Sequence, residues 1–166
     1  MSAYPQFAFN TDRDVAALLE ELAELGFEAE HMEVPEKRSL LGGRQQPQFR
    51  HAIALTGYRD YAAFFHYAKG SVLDPKNFER QDFLRDYAAA ARLIYDFADG
   101  DVQYSRSGGS GELGPLDWYP PKEHRVLDAV AGPVPRVEIR PEEIAEKYLP
   151  DMNDSTRYIM RKPRLN

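Results

Sequence analysis

The sequence predicts an α+β sandwich of the ferredoxin-like kind, a β-α-β-β-α-β chain with an antiparallel four-stranded sheet and its helices on one face. Three observations predict it. Over the first two-thirds of the chain the apolar spacing alternates between the strand period and the helix period in that order. The two segments due to lie in the centre, 5–10 and 49–56, are the most apolar, while the two due to lie at the edges carry charged or polar residues. Each helical stripe stops at a glycine, Gly26 or Gly100.

The first strand spans Pro5 to Asn10, with Phe7 and Phe9 on one face and Gln6 and Ala8 on the other. Thr11-Asp12-Arg13-Asp14 then has the form of a helix N-terminal cap, with Thr11 as the capping hydroxyl. Val15, Leu18, Leu19, Leu22 and Leu25 recur at helical spacing. The second strand, Phe27 to Val34, is interrupted by Glu28, Glu30 and Glu33, as suits an edge. In the third, Phe49 to Thr56, Phe49, His51, Ile53 and Leu55 alternate with Arg50, Ala52, Ala54 and Thr56.

An inserted aromatic helix is expected from Tyr58 to Lys69, with Tyr61, Phe64, Phe65 and Ala68 on its buried side. Asp74-Pro75 opens a longer helix, proline being tolerated in a first turn. Its stripe runs through Phe78, Leu84, Tyr87, Ala88, Ala91, Ile94, Tyr95 and Ala98. Asp101 to Arg106 forms the short, polar fourth strand, an edge. Residues 1–106 thus make the ferredoxin-like domain, and 107–114 a Gly/Ser-rich connector. Residues 115–166 make a C-terminal appendage packed on the same domain, with a short helix from Pro141 to Leu149 and an extended basic end.

The chain has 166 residues, a net charge of -6 and no cysteine. The last point excludes disulfides, thiolate metal sites and cysteine nucleophiles. No apolar run approaches the roughly 18 residues of a membrane span, and the N-terminus lacks the layout of a secretion signal, so a cytoplasmic protein without a membrane partner is expected. His31, His51, His66 and His124 show no zinc spacing. His51 shares a strand face with Phe49 and Ile53 and reads as a satisfied core or strand-end histidine. Ser107-Gly108-Gly109-Ser110-Gly111 lacks both the phosphate-loop lysine and the nucleophile-elbow pattern. No catalytic residue, cofactor or metal is expected.

Charge placement is more telling than its sum. From Lys37 to Arg59 the chain carries Lys37, Arg38, Arg44, Arg50 and Arg59 and no Asp or Glu. These five form the candidate binding site, a cationic hairpin between the second and third strands. With the basic C-terminus (Arg157, Arg161, Lys162, Arg164) it suits an acidic protein or a nucleic acid. The plain alternative is a solubilising loop that balances Glu20, Glu21 and Glu24. An RNA-recognition sheet needs exposed aromatics on its central strands. Here Phe7 and Phe9 face the helices, leaving Gln6, Ala8, Arg50, Ala52, Ala54 and Thr56 on the open face.

That small-residue face would admit another layer: the chain's own C-terminal segment, a flat ligand, or a second copy. A non-catalytic binding or regulatory protein is therefore the leading expectation. A dimeric α+β-barrel with a small-ligand or enzymatic pocket between two such sheets is the alternative. An inhibitor or immunity protein acting through the acidic helix is the weaker one.

Two stretches resemble the RraB-like family, regulators of ribonuclease E activity: Phe7 to Glu28, with Thr11-Asp12 opening a helix that closes at Leu25-Gly26-Phe27, and Asp99-Gly100-Asp101-Val102-Gln103-Tyr104. Ser105-Arg106-Ser107 departs from that family's aromatic, acidic motif, and the aromatic helix and last third of the chain have no counterpart in it. The resemblance is one of fold alone and carries over no site residue.

Overall fold

The computed structural model describes residues 4–38, 43–68, 80–106, 136–146 and 157–163. In chain order they form β1 (Pro5–Phe9), α1 (Val15–Glu24), β2 (Phe27–Glu33), β3 (Lys37–Arg38), β4 (Arg44–Gln45), β5 (His51–Tyr58) and α2 (Tyr61–Ala68). There follow α3 (Gln81–Phe97), β6 (Val102–Arg106), β7 (Arg136–Glu138), α4 (Glu143–Glu146) and β8 (Arg157–Met160). The fold is mixed α+β.

The main sheet has six strands in the order β2-β5-β1-β6-β8-β7. Phe7 lies opposite Ile53 on β5 and Tyr104 on β6, and both pairings are antiparallel. The first four of these strands thus keep the expected neighbours. The sheet nonetheless differs from the expected four-stranded antiparallel one. β8 adds antiparallel to β6, and β7 runs parallel to β8. β6 is therefore interior. Before the terminal Arg106, its polar residues are the uncharged Gln103 and Ser105, both buried, which suit a covered strand rather than a charge-protected edge.

One face carries the main core. Phe7, Phe9, Ile53, Leu55, Val102 and Tyr104 meet Val15, Leu18 and Leu22 of α1 and Tyr87, Ala91 and Ile94 of α3. Each fully buried aliphatic side chain contributes about 1.5–3 kcal/mol. Ile139, Ile144, Tyr158 and Met160 join the same cluster, so the C-terminal elements share this core. On the opposite face the register sets Ala54, Gln6 and Ser105 in one row and Ala52, Ala8 and Gln103 in the next. All six are less than a tenth exposed. This small-residue face is covered in the single chain, as expected of a face able to admit another layer.

Several boundaries move. Asp14, not Thr11, caps α1, its carboxylate accepting from Ala16 N at 3.0 Å. Thr11 Oγ1 instead closes a local turn with Arg13 N at 3.1 Å. Gly26 ends the helix at φ 97°, a conformation costly for any residue with a Cβ. β5 runs on to Tyr58, which pairs with Phe27 past a bulge at Glu28/Ala29. The aromatic helix consequently starts at Tyr61, where Asp60 Oδ1 accepts from Ala63 N at 3.2 Å. Its buried side is Ala63, Phe64 and Tyr67, while Tyr61 is 69% exposed. α3 is described from Gln81, and the expected start at Asp74-Pro75 lies outside the described residues, as does the connector 107–114. The helix expected from Pro141 spans Glu143–Glu146, with Ile144 and Ala145 buried and 147–149 outside the described residues.

Candidate functional site

β2 ends at Glu33 and β5 begins at His51, and the chain between them leaves the main sheet as a separate two-stranded ribbon, β3 with β4. The register sets Lys37 opposite Gln45 and Arg38 opposite Arg44. Two arginine positions therefore fall directly across the ladder from one another.

The stem below the ribbon is well tied. Val34 N donates to Arg50 O at 2.9 Å, and Gln46 Nε2 donates to the Glu36 carboxylate. Asn10, just beyond β1, clamps the returning leg by accepting from Arg50 N at 2.8 Å and donating to Gln48 O at 2.9 Å. Val34 and Phe49 close over Ala8 and Ala52 as a small apolar cluster under the stem. Arg50 is exposed at this root.

Arg59 stands apart from the other four candidate positions. It follows the far end of β5, roughly 30 Å along the strand from Arg50 at about 3.3 Å per residue. There Arg59 Nη2 pairs with Asp86 Oδ2 at 3.1 Å, and its Nε donates to Tyr58 Oη at 3.2 Å. Tyr58 Oη donates to the same Asp86 oxygen. Burial, then the Asp86 hydrogen bond, raises the Tyr58 pKa. Beside this network lies a cleft of about 790 Å³ lined by Tyr58, Arg59, Asp60, Arg80, Asp82 and Phe83. Its arginines are answered by carboxylates: Arg59 pairs with Asp86, and Arg80 with Asp60 at 3.2 Å.

Arg161 and Lys162 fall at the same end of the sheet as the ribbon's root, since Val102 pairs with Met160 where Ala8 pairs with Gln103. They serve structure there. Arg161 bridges Glu138 at 3.2 Å and Asp101 at 3.5 Å, and Lys162 Nζ donates to Ala98 O. Arg157 is half-buried in β8, and Arg164 lies outside the described residues.

Two arrangements were not anticipated from sequence. Asp86 lies within the buried stripe of α3, between Leu84 and Tyr87, so a charged residue interrupting an apolar face was the available signal. His51 is a strand-end residue, as expected, but its partner is His31, with Nε2 of His31 3.0 Å from Nδ1 of His51. Among the described residues no group of three or more His, Cys, Asp or Glu is placed to hold a metal ion, and no helix is long and apolar enough to cross a membrane.

No family model, curated protein or solved structure matches the chain. The RraB-like resemblance accordingly rests on its two short stretches alone.

Proposed function

We propose that this protein is a non-catalytic binding module that presents its β3–β4 ribbon to an acidic surface on another protein. One observation carries the reading: Arg38 and Arg44 oppose one another on a ribbon outside the main sheet, above a stem fixed by Val34, Asn10 and Phe49. Two cationic positions facing each other across a ladder suit an anion, which charge-assisted hydrogen bonds from both would hold. Lys37 and Arg50 extend the same cationic end, and Arg59 drops out of the site.

An acidic protein suits the molecule better than a nucleic acid. A net charge of -6 repels a polyanion at long range, and the central-strand aromatics Phe7 and Phe9 are fully buried and cannot stack on bases. The test is capture from nuclease-treated lysate, followed by affinity measured against salt. Joint reversal of Lys37, Arg38 and Arg44 to Glu is expected to abolish capture and flatten the salt dependence. Unchanged affinity would overturn the reading.

The cleft beside Arg59 favours a second reading, a small-ligand site. It is told apart by Arg80→Ala, which would weaken such a ligand and leave ribbon-mediated capture intact. A second copy docking on the sheet face has less support, because that face is already covered in the single chain.

A further inference from the structure

We propose that His31 and His51 form a proton-operated latch at the root of the ribbon, closed at neutral pH and released under mildly acid conditions. Its purpose, though not its chemistry, rests on the ribbon being the docking element.

The register pairs Glu33 with His51 and His31 with Ile53, so the two histidines are diagonal neighbours on adjacent strands. Their rings stack at 5.2 Å with 24° between planes, and the facing nitrogens are 3.0 Å apart. On the far side of His51 lies Phe9, 5.9 Å away, backed edge-on by Phe97, over which Arg13 stacks at 4.1 Å. The charged groups around the pair are Glu33, opposite His51, the exposed Arg50 immediately before it, and Arg13 beyond Phe97.

Two facing ring nitrogens share one proton. The neutral pair is bonded, and it stays bonded after a first protonation, because an imidazolium donates to a neutral imidazole. A second proton sets N–H against N–H. The bond is lost and two cations abut. Burial and the charge of His51 both lower the proton affinity of His31, and Glu33 restores only part of it. Charging His31 beside a charged His51 therefore takes place below the ordinary histidine value.

The position turns this local event into a change at the ribbon. Outward of the pair the Val34–Arg50 hydrogen bond and the Glu36–Gln46 contact hold the stem, and β2 is the outermost strand. Its end can therefore part from β5 while β1, β6 and β8 stay paired. Acidification would leave every ribbon charge in place and remove the platform that orients them.

The experiment is NMR on the full chain from pH 7.5 to 5.0, following the His31 and His51 imidazole shifts. In parallel, amide protection at Val34 is corrected for intrinsic exchange, with the β1 amides as internal control. The expected result is two coupled titration steps and at least about a tenfold fall in Val34 protection as the second proton binds, β1 remaining protected. In His31→Gln, or in His51→Gln should the first fold poorly, Val34 protection stays flat. Two independent titrations with unchanged Val34 protection, or the same fall in the single variants, would overturn the latch. The ribbon reading is tested separately at pH 7.5 by charge reversal, so either idea can fail alone.

Discussion

Replacing Tyr58 by Phe removes one hydroxyl and little else. The ring keeps its place against Phe27, centroids 4.7 Å apart, and against Phe83 at 5.1 Å. What disappears is the hydrogen bond that the buried hydroxyl donates to Asp86, itself only 8% exposed. A hydrogen bond to a charged group contributes about 1.5–3 kcal/mol. Asp86 retains Arg59 at 3.1 Å and Arg85 at 3.6 Å, so the lower end applies and the loss should be about 1.5 kcal/mol. For a chain of this length that is roughly 3–6 °C in Tm. Asp86→Ala should cost more, about 2–3 kcal/mol, since it strips the acceptor from Tyr58 as well as the partner from two arginines. The decisive quantity is the double variant. Denaturant unfolding of wild type, both singles and the double should give a coupling of about 1 kcal/mol or more. Single costs that add to within about 0.5 kcal/mol would show that the two groups do not interact, refuting the network.

Three further outcomes are expected. Gly26→Ala should destabilise by at least about 1–2 kcal/mol in thermal unfolding, because φ is 97° and a Cβ would stand 3.0 Å from Arg59 side-chain carbons. Gly57→Ala should cost less, since its Cβ would meet only the movable end of Glu28, and equal losses would contradict the difference. Met160→Ala, at a fully buried position of β8, should lose about 2–4 kcal/mol, whereas a loss under about 0.5 kcal/mol would mean that β8 is not part of the core. Burial raises the pKa of both Tyr58 and Tyr67. The unfolded chain therefore releases these protons first, so their contribution is complete below about pH 10 and is lost as pH rises above it. Unfolding free energies that stay level from pH 9 to 11 would contradict this, and Tyr67→Phe should remove part of the slope.

Where apolar spacing was regular, the sequence was informative. β1, α1 and β5 followed from Phe7 and Phe9, from Val15, Leu18 and Leu22, and from the alternation through Ile53 and Leu55. The failures came where one pattern admits two placements. Gln103 and Ser105 suit an edge or a covered interior, and only the arrival of β8 decides between them. Thr11 and Asp14 are both competent caps, and the choice depends on where the turn after Asn10 closes. Tyr58 looked like the start of an aromatic helix because its cross-strand partner, Phe27, is invisible in the local pattern. For the candidate site, the charge run marked Lys37, Arg38 and Arg44, but strand length separated Arg59 from them. The His31–His51 contact depends on register, which a linear string does not display.

The seating of β8 between β6 and β7 also has a bearing on how the molecule assembles. β6 cannot acquire its second neighbour until residue 160 has been synthesised, long after α1, α2, α3 and the first four strands of the sheet are available. Closing so wide a loop is slow. Throughout that interval the partly made chain displays a row of unsatisfied backbone groups flanked by Gln103 and Ser105, with Arg106 at the strand's end as its one charge against a stray segment. Aggregation of nascent or truncated forms should therefore begin at this seam.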